Sequence, residues 1–75
     1  MQRTYFYLFA RRQGGWFMEF GDFDRATVAQ ELEDVRDSEG FRRKDLKIIR
    51  VFGPEAELDA KMFEALRQMN EELPA

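Results

Sequence analysis

Thr4-Tyr5-Phe6-Tyr7-Leu8-Phe9-Ala10 decides the fold. Its aromatic and apolar residues favour an extended strand. Successive side chains of a strand point to opposite faces, so Tyr5, Tyr7 and Phe9 share one face while Phe6, Leu8 and Ala10 share the other. Both sets are apolar, as expected of a central strand with neighbours on both sides. Working outward, Arg11-Arg12-Gln13-Gly14-Gly15 separates this strand from a second apolar run, Trp16-Phe17-Met18-Glu19-Phe20. The glycines supply the positive φ that a tight turn demands, so the two runs form a β-hairpin with a loop of two or three residues. Leu46 to Phe52 reads as a third strand, β-branched at its centre and stopped by Gly53-Pro54.

Two helices fill the intervals. Asp24 is an N-cap, its carboxylate placed to accept unpaired backbone N–H groups. Phe23 and Val28 have the spacing of a hydrophobic staple. Val28, Leu32 and Val35 then recur at helical period, and Gly40 ends the run with Phe41 free to fold back on it. The Asp22-x-Asp24 pair is therefore read as capping rather than as a metal ligand set. Pro54 suits the start of a second helix, where Glu55 and Glu57 complement the helix dipole. Leu58, Met62, Ala65, Leu66, Met69 and Leu73 make its apolar stripe, with Pro74 closing the chain. The element order β-β-α-β-α defines an α+β domain over residues 1–75. Its three-stranded sheet is expected in the order 2-1-3, with 1-2-3 as the alternative. A right-handed crossover makes strand three parallel to strand two and antiparallel to strand one. Both helices are expected to pack on one face of the sheet.

Composition sets further bounds. The 75 residues are 44% hydrophobic and 15% aromatic with a net charge of −3, which points to a folded domain rather than disorder. Cysteine is absent, which suits a reducing, cytoplasmic setting. The N-terminal segment lacks a signal-peptide h-region, and no run reaches the roughly 18 apolar residues of a membrane span. Histidine is absent too, and Ser38 is the single serine. The common general base, the thiol nucleophile and a Ser-His-Asp team are thus excluded. The carboxylates are spread over two helices rather than paired, and Gly14-Gly15 lacks the Lys-Ser/Thr of a phosphate loop. No cofactor or catalysis is expected.

Candidate binding residues follow from combining topology with charge. In the 2-1-3 order the end of strand one lies beside the start of strand three, which brings Arg11 and Arg12 toward Arg42, Arg43 and Lys44. Five of the 12 basic residues then share one pole near Trp16, with Asp22, Asp24, Glu55 and Glu57 at the other. Such a pole steers anionic partners, an acidic protein surface or nucleic-acid phosphates, with Trp16 as a stacking ring. The plain alternative is a charged loop whose cations complement the end of the first helix. A pI near 4.9 argues against a strong nucleic-acid binder. With both helices on one face, the other face of the sheet is expected to be bare, offering either the Tyr5/Tyr7/Phe9 or the Phe6/Leu8/Ala10 set to a partner or to a second copy of the chain. Strand two is expected as an open edge guarded by Glu19 alone, where Phe17 and Met18 meet a protein partner or a second copy of the chain. Arg25, Arg36, Lys61 and Arg67 interrupt the acidic helix faces, which argues against mimicry of a phosphate backbone.

The stretch Trp16 to Arg25, followed later by Arg43-Lys44-Asp45-Leu46-Lys47-Ile48-Ile49, resembles short proteins encoded in phages and prophages. The resemblance covers the first two thirds of the chain. It implies a small accessory protein acting by contact, a class that includes inhibitors of host defence complexes such as anti-CRISPR proteins. It assigns no role to any residue. The expectation is a non-catalytic protein-binding accessory or inhibitor module. A small nucleic-acid-binding protein is the alternative, and an enzyme a distant third.

Overall fold

In the computed structural model, which describes residues 1–73, β1 (Gln2–Arg12) lies between β2 (Gly15–Asp22) and β3 (Leu46–Pro54). Both neighbours run antiparallel to it, so β2 and β3 run parallel to one another across the central strand. The element order is β-β-α-β-α in a sheet of order 2-1-3, the α+β architecture expected from two apolar faces on one strand. The hairpin loop has two residues. Gln13 (φ 47°) and Gly14 (φ 85°) are both left-handed, and Arg12 pairs with Gly15. Two positive φ values in succession make a turn whose twist matches that of the flanking strands.

A β-bulge interrupts the hairpin. Phe9 pairs with Met18 and Leu8 with Phe20, leaving Glu19 as the extra residue. The insertion resets the alternation, so Phe20 lands on the same face as Leu8 and joins its core. Helix α1 (Arg25–Glu39) starts as its signals require. The Asp24 carboxylate accepts from the Ala26 N–H at 3.2 Å and from the Thr27 hydroxyl at 3.0 Å, while Asp22 accepts from the Asp24 N–H at 2.8 Å. Both aspartates therefore shape the cap. Gly40 ends the helix at φ 72°, its N–H donating to the Arg36 carbonyl, and Phe41 packs back on the α1-side core. The staple does not form: Phe23 sets its ring edge-on against Tyr5, 4.5 Å between centroids, while Val28 is buried in a different cluster. A single turn of 3₁₀ helix (Arg43–Asp45) leads into β3, and another (Glu55–Glu57) leads into α2 (Leu58–Glu71). Pro74 lies outside the described residues.

The two helices lie on opposite faces of the sheet, not on one. Tyr7, Phe9, Trp16 and Val51 form a core with Leu58 and Met62 of α2, joined by Tyr5, Ile49, Ala65, Leu66 and Met69. Leu8, Ala10 and Leu46 form a second core with Val28 and Leu32 of α1, joined by Phe6, Phe20, Val35 and Ile48. The physical reason is in β1. Its odd and even residues both carry large apolar area, and burying either set stabilises by roughly 2–3 kcal/mol per large side chain. One helical layer would have left one set wet. The expected bare sheet face therefore does not exist, and with it goes that route to a dimer. No described helix is long and apolar enough to cross a membrane.

Candidate functional site

The hairpin end carries most of the residues singled out above, and the structure divides them into core and surface. Trp16 belongs to the core. Paired with Arg11 on the α2 face, it is only 9% exposed and sits in the Tyr7–Phe9 cluster. Its ring fills space against α2 and offers no open stacking surface, contrary to expectation. Its backbone is held as firmly. The Trp16 N–H donates to Asn70 Oδ1 at 2.7 Å, and the Asn70 side-chain amide donates back to the Trp16 carbonyl at 3.3 Å. In an antiparallel ladder the N–H and C=O of one residue point the same way. One side chain of α2 thus supplies both bonds that a neighbouring strand would make, and closes the β2 edge there.

Asn70 gave no sequence signal, because a lone asparagine in the last turns of a helix looks like solvent-facing filler. Replacing it with alanine leaves two part-buried backbone groups without partners, at a cost of about 1–3 kcal/mol. A drop of that size in urea-unfolding free energy, absent from Asn70→Asp only to the extent that one of the two bonds survives, checks this role.

Phe17 and Met18 are the surface component. They are 54% and 43% exposed. Pairing with Ala10 and Phe9 respectively turns them to opposite faces, so they flank the β2 edge from both sides. The edge is shorter than the sequence implied, being closed by Asn70 at Trp16 and broken by the bulge at Glu19.

The basic residues part in the same way. Ala10 pairs with Leu46, which sets Arg11 and Arg12 at the end of the sheet where the Arg43–Asp45 turn enters β3. Arg12, however, is spoken for. Its Nε donates to Glu19 at 2.8 Å and its Nη1 to Glu39 at 2.8 Å, and its guanidinium lies 4.7 Å from the Phe41 ring centroid. The two acceptors hold the Arg12 guanidinium charged, and Arg12 in turn draws the Glu39 carboxyl below the usual range, chiefly through the hydrogen bond. Arg12 thereby ties β2, the end of α1 and Phe41 together, and its charge is neutralised locally. Arg42, Arg43 and Lys44 are exposed, and no described acidic group forms an ion pair with them or with Arg11. The cations without a described ion-pair partner at this end of the sheet are therefore Arg11, Arg42, Arg43 and Lys44, where Ala10 of the central strand pairs with Phe17 on one side and with Leu46 on the other.

Comparisons with family models, with curated proteins and with solved structures give no match, so these residues are read from their own geometry.

Proposed function

We propose that the chain is a non-catalytic binding module, an accessory or inhibitor protein of the cytoplasm, that docks on an acidic protein surface through its hairpin end. The observation that carries this reading is the pair of exposed apolar side chains, Phe17 and Met18, on the β2 edge. Exposed apolar side chains at the same end of the sheet as the unpaired cations match the parts of an interface, apolar contacts with a polar rim. The rim cations supply attraction and orientation. A target within a host complex is the form of this reading that the sequence resemblance alone implies.

The nucleic-acid alternative draws on the same cations but is the weaker reading. Burial of Trp16 removes the one tryptophan from stacking, and Glu19 and Glu39 offset Arg12.

The test is affinity capture from cells that make the protein, followed by titration of the captured partner. Changing Phe17 and Met18 together to Glu is expected to weaken binding about 30-fold or more, the loss of about 2 kcal/mol typical of a central contact. Reversing Arg42, Arg43 and Lys44 should act mainly on the association rate, and less at high salt. Retention that is nuclease-sensitive and falls steeply with salt, yet ignores the Phe17/Met18 change, selects the nucleic-acid reading instead. Light scattering on the purified chain separates a foreign partner from a second copy.

A further inference from the structure

Away from the hairpin turn, three aromatic rings and two carboxylates line one cleft of about 290 Å³ between the sheet and the start of α2: Tyr5, Tyr7, Phe23, Leu58, Glu55 and Asp59. The rings are in contact. Tyr5 and Tyr7 lie 4.8 Å apart at 55°, and Tyr5 meets Phe23 at 4.5 Å and 89°. The Tyr7 hydroxyl donates to Asp59 Oδ1 at 2.8 Å, which fixes that carboxylate at the wall of the cleft. Asp59 has no ion-pair partner among the described residues. Burial raises the pKa of the Tyr5 hydroxyl, and the negative charges of Asp22 and Asp59 beside it raise it further. The field in the cleft therefore favours a cation.

The fold already contains one cation that uses this chemistry. The Arg3 guanidinium carbon stands 3.7 Å from the Phe23 ring centroid, and its Nη1 lies 3.6 Å from Glu55 Oε2. Aromatic faces attract cations through their quadrupole, and a nearby carboxylate adds a charge partner. Arg3 satisfies Phe23 and Glu55, whereas Asp59 stays uncompensated. The site holds more negative charge than its internal occupant balances.

We propose that this cleft receives the guanidinium of an arginine presented by a protein partner, which takes the place of Arg3 on Phe23 and pairs with Asp59. Arginine fits better than lysine because its planar group stacks on a ring, bonds a carboxylate with two N–H groups and sheds water more readily. The cleft is separate from Phe17 and Met18, so this site does not rest on the docking role of the hairpin end.

N-acetyl-arginine amide, titrated while the ring proton resonances of Tyr5, Tyr7 and Phe23 are followed by NMR, tests the site. Saturable shifts of all three rings are expected. Arg3→Ala, which removes the internal competitor, should tighten binding about fivefold, the size of one exposed cation–π contact. Phe23→Leu and Asp59→Asn should each weaken it. The asparagine can still accept from Tyr7, so circular dichroism of Asp59→Asn should be unchanged. Absence of saturable shifts in both the parent chain and Arg3→Ala overturns the proposal. So does equal affinity for N-acetyl-lysine amide, or binding indifferent to Phe23→Leu and Asp59→Asn.

Discussion

Phe9→Ala is expected to remove about 3–5 kcal/mol of stability, the usual range for emptying a phenylalanine site in a core. Phe9 is fully buried at the centre of β1, between Met18 on one neighbour and Lys47 on the other, and it packs into the α2-side core. A domain of this length has about 4–11 kcal/mol in all, so this one change takes about a quarter of it at the least. Urea unfolding followed by circular dichroism would record a large fall in midpoint with little change in slope. Retention of all but about 1 kcal/mol would mean that the α2-side core collapses around the gap, against the packing described here.

Gly21→Ala should be the most damaging single-methyl change, at about 1–3 kcal/mol from overpacking. A Cβ at Gly21 would lie 2.7 Å from Tyr5 Cε2 and 3.1 Å from Tyr7 Cδ1. Neither ring can yield freely. Tyr5 is braced by Phe23 and Tyr7, and Tyr7 is buried with its hydroxyl bonded to Asp59. Gly53 is the instructive contrast. Its added Cβ would come within 2.6 Å of Lys61 Cε, but that is the end of a flexible side chain able to swing into solvent. Thermal melts should therefore separate the two alanine variants, with the Gly21 variant lower by roughly 4–8 °C for each kcal/mol lost. Combining Gly21→Ala with Tyr5→Ala should recover part of the Gly21 loss, because the clash partner is gone. Strict additivity of the two would place the strain elsewhere.

Much of the topology was legible in Tyr5 to Ala10, because apolar residues on both faces of a strand need neighbours and cover. The order 2-1-3, the Asp24 cap and the Gly40 stop all follow from local patterns of that kind. The same six residues also contained the information that the one-face expectation overlooked. If Tyr5, Tyr7 and Phe9 need a layer, Phe6, Leu8 and Ala10 need another, and two helices supply one each. The bulge was not legible: Glu19 between Met18 and Phe20 reads as ordinary alternation until the pairing with β1 is known. Nor could spacing show that Phe23 turns away from Val28 to meet Tyr5. At the candidate site, strand order alone sets Arg11 and Arg12 at the end of the sheet where the Arg43–Asp45 turn enters β3. The fates of Trp16 and Arg12 depended on Asn70, Glu19 and Glu39, partners 7 to 54 positions away in the chain.

The division of the apolar residues between two layers also bears on the order in which the molecule is made. The hairpin and α1 are complete once Glu39 has been synthesised, yet β1 still lacks its neighbour on the β3 side. Tyr7 and Phe9 have no lid until α2 follows, after Leu58. A nascent chain consequently carries a bare aromatic strip until α2 is added, and a chain cut short before α2 carries it permanently. Exposed apolar surface of this kind promotes aggregation, so a chain without an intact α2 is expected to aggregate where the whole domain does not.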